Sequence, residues 1–451
     1  MRDSLPIEPL ALLEQRSSPF DVALRVPGSK SLTNRLYVLA ALASGTSRIR
    51  GALASDDTDR LLTALETLGV GVSREGDDVL ITGGAGRLPR GGSVNLGDGG
   101  TPTRFMLALA TLARGSVVID GSERMRQRPV DEGVALLRRL GATIEATIID
   151  GIERLPVTVR LSAMRGRTLV VGQTASSQFI SALLLIAPCL GTALMLRYRE
   201  PPTSSSYLDL TVEAMQMFGI TVGGERDARG GLSGHEVTPQ VISARDVSVE
   251  VDASSAVYFA VAAAIVPGAR VELLGKVPAS RQPDWRLLDV LAAMGATVES
   301  RGDGATTSVV VRGPERLRAM KVNATLFPDA SMALAIACAC AAGTSVITGL
   351  KTLRVKETDR VAALAAELTK VGCEVVATDD SLRITPPAPR TDRVTIETYG
   401  DHRMAMSFAV LGLVRPGIEI VDPGCVAKSY PGFWSDFARL RQATATLENT
   451  S

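Results

Sequence analysis

The feature that most constrains the fold of this chain is a pattern that occurs six times, about 75 residues apart. Each occurrence has an apolar, helix-like run that ends in glycine and is followed by a short β-rich run. The glycines are Gly45, Gly115, Gly191, Gly268, Gly343 and Gly417. Six regular occurrences favour a structural repeat over unrelated α/β elements with chance spacing.

A second helical pattern, amphipathic and of the type LLRRLGATI, lies between the apolar runs. Its glycine falls at Gly69, Gly141, Gly219, Gly295 and Gly372. Because glycine adopts the left-handed conformation that ends many helices most easily, each position predicts a helix end. β-branched segments such as ATIEATII follow, and then a turn and another strand, as in GDDVLIT.

We therefore interpret each repeat as strand, helix, strand, strand, helix and strand in some circular order. The predicted fold class is α/β, and six such units form two domains of three if they pair symmetrically. The length of 451 residues also exceeds what one hydrophobic core usually supports. Hydrophobic residues make up 45% of the chain and aromatic residues 4%, so we expect aliphatic cores.

The charge balance limits the partners that the chain can bind. Lys and Arg number 49 and Asp and Glu 48. This near-neutral total argues against a nucleic-acid binder, which would carry a basic surface, but it allows a local basic site for a small anion.

The cysteines and histidines predict neither disulfides nor a metal site. The cysteines are Cys189, Cys338, Cys340, Cys373 and Cys425, with no CxxC pair. We expect buried free thiols in a reducing compartment. The two histidines, His235 and His402, cannot form a zinc site alone.

No segment of the sequence reads as a targeting signal or a membrane span. The N-terminus lacks a long apolar run, which argues against a signal peptide. The uncharged segment 168–196 contains Gln, Pro and Gly, and it fits a buried helix and a turn better than a span. We expect a soluble cytoplasmic protein.

Small, capping or charged residues precede each apolar run. The six segments are Pro27–Arg35, Gly97–Arg104, Thr174–Phe179, Glu250–Phe259, Phe327–Met332 and Tyr399–Met404. A helix N-terminus has unpaired N–H groups and a partial positive charge, so it attracts anions. Arginine and lysine side chains in three of the segments add full charges. Asp252 and Asp329 differ, and at Asp252 a plain N-cap role is an equally good interpretation.

Further basic clusters are predicted on loops that follow short strands. They are Arg124–Val130, Leu353–Arg360 and Cys425–Trp434. A run of charges is usually a solvated helix face. Because these charges lie on loops beside Pro or acidic residues, an anion site is the better interpretation.

Together these motifs resemble the 5-enolpyruvylshikimate-3-phosphate synthase (EPSP synthase) family. The matching phrases, in family order, are PGSKSxxNR, the Gly-rich loop at Leu96–Arg104, RQRP, SSQF, SSSYLDLT, PDASM, RVKETDR, YGDHRMAM and AKSYPGFW. The resemblance extends from Arg25 to Trp434. It implies a two-domain inverted α/β barrel, the enolpyruvyl transferase fold, with six repeated α/β units and three per domain. The domains would be residues 1–25 with 250–451, and residues 26–249, with the active site in the cleft between them.

The resemblance also implies the reaction. The enolpyruvyl group of phosphoenolpyruvate is transferred to the 5-hydroxyl of shikimate 3-phosphate, and phosphate is released. The reaction proceeds by addition and elimination through a tetrahedral intermediate, with no cofactor and no metal, and serves chorismate and aromatic amino-acid biosynthesis. The implied partners are these small molecules alone, without nucleic acid or membrane, and the implied state is a monomer.

Site residues are carried over at the matching positions. The catalytic candidates are Lys30, Asp329 and Glu357, with Asp329 at the sugar hydroxyl and the other two at the enolpyruvyl carbon. The residues implied to bind shikimate 3-phosphate are Lys30, Ser31, Arg35, Ser176, Ser177, Gln178, Ser204, Tyr207, Asp329 and Lys356. The residues implied to bind phosphoenolpyruvate are Lys30, Gly100, Arg128, Gln178, Arg360, Arg403 and Lys428.

The chain departs from the family pattern at four positions. Asp98 stands where Asn is common, and a negative side chain near an anion is unfavourable unless a cation offsets it. Pro102 and Phe105 also differ, in a loop that bears on phosphoenolpyruvate affinity and on the response to glyphosate. Thr352 replaces a common Asn ligand and has a shorter reach.

Two alternatives compete with this function, and only the second belongs to a different functional class. The first is the enolpyruvyl transferase that acts on UDP-N-acetylglucosamine, whose usual site has a Lys-Asn pair and a Cys loop. This chain has Lys30-Ser31, and no Cys lies between Arg104 and Arg128. The second is a non-catalytic anion-binding protein of the same fold, in which Asp329 and Glu357 would have no purpose.

Overall fold

The computed structural model describes residues 3–10, 19–226, 232–302, 304 and 307–448. The strands are β1 (Ser4–Pro6), β2 (Asp21–Leu24), β3 (Ser44–Arg50), β4 (Gly71–Glu75), β5 (Asp78–Gly84), β6 (Gly92–Asn95), β7 (Val117–Asp120), β8 (Thr143–Ile149), β9 (Ile152–Arg160), β10 (Thr168–Val171), β11 (Leu194–Tyr198), β12 (Gly223–Arg226), β13 (Leu232–Val237), β14 (Asp246–Ser248), β15 (Arg270–Lys276), β16 (Thr297–Arg301), β17 (Thr307–Arg312), β18 (Lys321–Asn323), β19 (Ser345–Thr348), β20 (Glu374–Ala377), β21 (Ser381–Thr385), β22 (Val394–Ile396) and β23 (Ile418–Val421).

The helices are α1 (Lys30–Leu42), α2 (Asp56–Thr67), α3 (Gly100–Leu109), α4 (Glu123–Gln127), α5 (Asp131–Arg139), α6 (Ser177–Ile186), α7 (Ser206–Met217), α8 (Ala253–Ile265), α9 (Arg286–Ala293), α10 (Ser331–Ala339), α11 (Arg360–Lys370), α12 (His402–Gly412) and α13 (Phe433–Glu448). Short 3₁₀ helices at Pro283–Trp285, Pro328–Ala330, Lys351–Val355 and Pro423–Lys428 carry several charged residues.

The chain divides into two compact units. One comprises Met1–Pro27 with Glu250–Ser451, and the other is Gly28–Val249. We call them the split unit and the central unit. Each has its own hydrophobic core, and the described core residues of one unit do not mix with those of the other.

The sheets repeat one topology. Their strand orders are β14-β3-β5-β4, β6-β7-β9-β8, β10-β11-β13-β12, β2-β15-β17-β16, β18-β19-β21-β20 and the three-stranded β22-β23-β1. In each, the first two strands are parallel and the others pair antiparallel. The sixfold α/β repeat is therefore confirmed.

The order of elements within a repeat differs from the sequence prediction. One strand, not two, lies between the helices, and the order is strand, helix, strand, helix, strand, strand. The physical reason is that parallel and antiparallel pairs of strands need different connecting segments. Parallel strands require a helical crossover, whereas the last two strands form a hairpin over a tight turn such as Asp150-Gly151, where both residues have positive φ.

The glycines of the amphipathic pattern end their helices as predicted. Gly69, Gly141, Gly219, Gly295 and Gly372 all have φ between +75° and +110° and follow α2, α5, α7, α9 and α11. A side chain would strain the backbone in this region, so each helix stops where the glycine stands.

The apolar helices lie inside the units and the sheets lie around them. In the central unit α1, α3 and α6 contact one another, and in the split unit α8, α10 and α12 do the same. In α8, every residue except Ser254 is buried. These six apolar helices begin inside the six segments of small, capping or charged residues identified in the sequence. Each unit contains three of these helix starts.

The described residues contain no helix long and apolar enough to cross a membrane. Within the same ranges, no group of three or more His, Cys, Asp and Glu side chains is placed to hold a metal ion. The five cysteines form no disulfide, and only Cys338 and Cys373 are fully buried.

Candidate active site

In the central unit, the first turns of the apolar helices meet through side chains. Gln178, near the start of α6, donates from Nε2 to the hydroxyl of Thr101 at the start of α3, at 2.8 Å. Ser176 caps α6 by accepting the N–H of Gln178 at 3.3 Å. Ser177 is the first residue of that helix. The hydroxyls and amide groups of these residues therefore lie together at two adjoining helix starts.

Lys30 forms an ion pair in this region. Its Nζ lies 3.0 Å from Oδ2 of Asp57, and both side chains are largely buried. Lys30 is the first residue of α1, and Asp57 lies in the first turn of α2. Asp57 was not identified from the sequence, because an acid in the first turn of a helix is common and carries no sign of a partner outside that helix.

Arg35 is buried inside the unit, with 2% of its surface exposed. Its guanidinium donates to the carbonyls of Ser31 at 2.7 Å and Tyr207 at 3.2 Å, and to the hydroxyl of Thr211 at 2.9 Å. It also lies 5.3 Å from the centre of the Phe105 ring. Burial lowers the pKa of Arg35 to about 10, which leaves it charged at neutral pH. In the free chain Arg35 connects α1 to α7, and its role in substrate binding stays a prediction.

Two buried guanidinium groups lie against Gly100. A methyl group at this position would come 2.7 Å from Nη1 of Arg128 and 3.0 Å from Nη1 of Arg104. Arg104 itself lies 5.1 Å from the centre of the Phe179 ring. The missing side chain of Gly100 thus allows two positive charges to approach the start of α3.

The departures from the family pattern fit this local structure. The Ser122 hydroxyl donates to Asp98 and accepts the N–H of Met125, so Asp98 belongs to the cap of α4. Pro102 lies in the first turn of α3, where a helix needs no N–H. Phe105 provides the ring beside Arg35. The differences therefore have structural partners inside the central unit.

Ser204 and Tyr207 lie at the start of α7. Ser204 is buried and has φ of +51°, an unusual value for a residue with a side chain. Backbone strain of this kind costs about 1–3 kcal/mol and occurs often at ligand sites. Tyr207 contributes its carbonyl to Arg35.

In the split unit, Asp329 lies among three cations. Its Oδ1 is 3.3 Å from Nζ of Lys356 and 3.2 Å from Nη1 of Arg360, and its Oδ2 is 3.2 Å from Nη2 of Arg403. Burial would raise the pKa of Asp329, but the charges of Arg403, Lys356 and Arg360 outweigh burial and hold that pKa well below its usual range.

Glu357 belongs to the same ion network. Its oxygens lie 2.9 Å from Nη2 of Arg360 and 3.2 Å from Nζ of Lys428. Arg360 is 1% exposed and also contacts the fully buried Asp401 at 2.7 Å. Burial lowers the pKa of Arg360, but Asp401, Glu357 and Asp329 raise it above the ordinary value. The network therefore joins four cations to three carboxylates.

Two aspartates set helix starts in this unit. Asp252 accepts the N–H of Ser254 at 2.9 Å, which confirms the N-cap interpretation. Asp401 caps α12 by accepting the N–H of Arg403 at 2.9 Å. The YGDHRM motif contains Asp401, but its pairing with Arg360, 41 positions away, has no local sequence signal. Thr352 lies in the 3₁₀ helix Lys351–Val355, near the network's Lys356 in sequence.

The structure thus brings the predicted residues together in two sets. The central-unit set is Lys30, Ser31, Arg35, Gly100, Arg128, Ser176, Ser177, Gln178, Ser204 and Tyr207. The split-unit set is Asp329, Lys356, Glu357, Arg360, Arg403 and Lys428. Cations at helix starts suit phosphate and carboxylate groups, and the carboxylates of the second set suit proton transfer.

Comparison with known proteins identifies the family. The family model described as EPSP synthase (3-phosphoshikimate 1-carboxyvinyltransferase) matches residues 15–437. The 3-phosphoshikimate 1-carboxyvinyltransferase of Laribacter hongkongensis is 41% identical over 419 residues, which cover 92% of this chain and 96% of that protein. The protein of the same name from Shewanella amazonensis is 36% identical over 442 residues, covering 97% and 99%.

Solved structures agree in fold. An EPSP synthase from Acinetobacter baumannii has a TM-score of 0.78 and 26% identity, with 98% of each chain covered. The enolpyruvyl transferase NikO from Streptomyces tendae, with a TM-score of 0.70 and 18% identity over 98% of each chain, shares the fold. By sequence, by repeated topology and by the charged residues at its helix starts, this chain belongs to the EPSP synthase family.

Proposed function

We propose that this chain transfers the enolpyruvyl group of phosphoenolpyruvate to the 5-hydroxyl of shikimate 3-phosphate and releases phosphate, in chorismate and aromatic amino-acid biosynthesis. Membership of the family supports the reaction. The observation that carries the residue assignments is the placement of Asp329 among Lys356, Arg360 and Arg403, because it joins a potential base to a site for anions.

The ion network explains how Asp329 can be inactive until both substrates bind. In the free chain, three cations hold its pKa low, so it is a weak base. Phosphate and carboxylate groups that bind these cations offset their charge, and the pKa of Asp329 then rises. A base becomes effective as its pKa approaches the working pH, so substrate anions activate the group that deprotonates the 5-hydroxyl.

The reaction takes place in two steps. In addition, the sugar oxygen bonds to C2 of phosphoenolpyruvate, its proton passes to Asp329, and the C3 methylene gains a proton. In elimination, the C3 methyl group loses a proton, the bond from C2 to the phosphate oxygen breaks, and the double bond re-forms. Glu357, paired with Lys428, and Lys30, paired with Asp57, are the groups that we assign to C3.

The remaining residues hold the anions. We assign shikimate 3-phosphate to Lys30, Ser31, Arg35, Ser176, Ser177, Gln178, Ser204, Tyr207, Asp329 and Lys356. We assign phosphoenolpyruvate to Lys30, Gly100, Arg128, Gln178, Arg360, Arg403 and Lys428. Arg35 would have to exchange a carbonyl or hydroxyl partner for substrate, which makes it the assignment with the largest rearrangement.

The proposal includes the organisation implied by the resemblance. Residues 1–25 with 250–451 form one domain and residues 26–249 the other, and both supply residues to the reaction. The protein acts as a cytoplasmic monomer on small molecules, without nucleic acid, membrane, cofactor or metal.

A phosphate-release assay tests the proposal. The purified chain should release phosphate only when phosphoenolpyruvate and shikimate 3-phosphate are both present. UDP-N-acetylglucosamine in place of shikimate 3-phosphate is the control for the sister reaction. Turnover that requires the UDP-sugar would move the chain to the other transferase, and no turnover with either acceptor would favour a non-catalytic anion-binding protein.

A further inference from the structure

A buried carboxylate that the proposed mechanism does not use holds the turn that carries Asp329. Asp284 lies in the 3₁₀ helix Pro283–Trp285, before α9, and is 1% exposed. One of its oxygens accepts the hydroxyl of Ser254 in the first turn of α8. The other accepts the N–H of Ala330, the residue after Asp329, at 3.3 Å. The Asp284 carboxylate thus connects two helix starts at the ion network.

The charges around Asp284 come from several elements. Asp252 faces it from the start of α8, Asp329 from the adjoining turn and Arg403 from α12. Lys276 of β15 lies 5.8 Å from the ring of Trp285, the next residue in the chain. Burial first, and then the charge of Asp329, raise the pKa of Asp284 to about 6, against the opposing effect of Arg403.

The two aspartates therefore have pKa values displaced in opposite directions. Neighbouring titratable groups of this kind are typical of proton-transfer sites. An Asn at position 284 could accept the N–H of Ala330 through its oxygen and donate from its nitrogen to the Ser254 hydroxyl, so it would keep both contacts without a buried charge. Burial of the Asp284 carboxylate therefore costs free energy that packing alone does not require. Groups that a protein retains at such a cost are often functional.

We infer that Asp284 is a positioning residue for Asp329: it fixes the turn that carries this base and supplies a neighbouring negative charge that keeps the base effective when substrates bind. The inference rests on the proposed function, in which Asp329 takes the proton from the sugar hydroxyl. Asp284 itself touches neither substrate in this account.

The variant Asp284→Asn separates the charge from the hydrogen bonds. With saturating substrates at pH 8, its kcat should fall about tenfold while both KM values stay within about twofold, because Asp329 becomes a weaker base with unchanged contacts. The wild-type kcat should decline as the pH falls through about 6 and Asp284 gains a proton. Asp284→Asn should lack this part of the decline.

Asp289→Asn is the matched control, because Asp289 is exposed on α9 close to Asp284 in sequence. The substrate phosphates also titrate near pH 6, and the control retains their contribution. It should reproduce the wild-type kcat and pH profile. Equal kcat and pH profiles for Asp284→Asn and wild type would overturn the inference.

Thermal unfolding distinguishes positioning from a purely structural role. At pH 8, Asp284→Asn should have a Tm equal to or above that of wild type, because it removes a buried charge beside Asp329 and keeps both contacts, with the Ser254 hydroxyl accepting instead of donating. Asp284→Ala should lower both Tm and kcat. If Asp284→Asn loses Tm and kcat together, the residue is structural and the inference is wrong.

Carbon-13 NMR of the Asp carboxyl groups tests the coupling independently of activity. A carboxyl resonance that titrates near pH 6 should be absent in Asp284→Asn, and in Asp329→Asn it should titrate at lower pH because a neighbouring negative charge is gone. An unmoved titration would overturn the inference even if wild type turns over. If the wild-type protein shows no turnover, in contrast, that result would count against the proposed function and not against the coupling of Asp284 to Asp329.

Discussion

The two units use the same repeat but surround their buried arginines with different chemistry. In the central unit, the buried Arg35 contacts carbonyls, a hydroxyl and an aromatic ring, and Arg104 lies against the Phe179 ring. In the split unit, Arg360 and its neighbours are paired with carboxylates, notably Asp329 and Glu357.

The difference shows how one architecture can serve two purposes. The neutral partners of Arg35 leave its positive charge uncompensated, whereas Lys30 is paired with Asp57. Carboxylate partners in the split unit reduce the positive charge there and add groups that can carry protons. Removing one member of a buried ion pair costs about 3–5 kcal/mol, so the network of the split unit also holds its geometry firmly. We therefore interpret the central unit as mainly binding and the split unit as mainly chemical.

Lys30 offers the strongest test of that division, because it is the only lysine between residues 28 and 249. Lys30→Met should lower kcat by about 10⁴-fold, since it removes both a charge and a candidate proton donor. Lys321→Met, on the exposed edge of β18, is the control. A loss confined to KM would make the central unit purely binding, and near-normal kinetics would remove Lys30 from the site.

Asp329→Asn should lower kcat by about 10³-fold with a much smaller change in either KM, because the carboxylate acts on a proton in the transition state. Steady-state kinetics of phosphate release measure both values. Asp379→Asn, at a fully exposed carboxylate of the same unit, should match wild type. An unchanged kcat for Asp329→Asn would contradict the chemical role of the split unit.

Much of this arrangement could be predicted from the sequence. Gly69 and its counterparts gave the helix ends, because only glycine fits there easily, and the small and charged residues gave the helix starts. The hydrophobic pattern could not give the order of strands, since β-branched runs follow both helices of a repeat. The pairing of Lys30 with Asp57 and of Arg360 with Asp401 had no signal in the sequence, because acids are common near helix starts and distant pairing depends on the folded chain.

Asp57→Asn tests whether Asp57 positions Lys30 in the central unit. Without its ionic partner, Lys30 loses orientation, and kcat should fall about tenfold. Asp56→Asn is a closely matched control, because Asp56 is the adjacent residue in the same helix turn but is exposed. Equal kinetics for the two variants would mean that Asp57 does not position Lys30.

Gly100→Ala should have an effect that is confined to one substrate. The added methyl group would displace Arg128, so KM for phosphoenolpyruvate should rise about tenfold while KM for shikimate 3-phosphate changes little. Gly191→Ala is the control, since a methyl group there meets nothing within 4 Å. Equal rises in both KM values would contradict the assignment of Arg128 to phosphoenolpyruvate.

The most direct test of the central claim is deuterium incorporation during turnover in D₂O. Addition converts the C3 methylene to a methyl group with one solvent-derived proton, and elimination then removes one of three. The account predicts phosphate release together with deuterium in the enolpyruvyl methylene of the product, and rates of both that are about 10³-fold lower in Asp329→Asn. Phosphate release without any deuterium at C3 would contradict addition–elimination at this site.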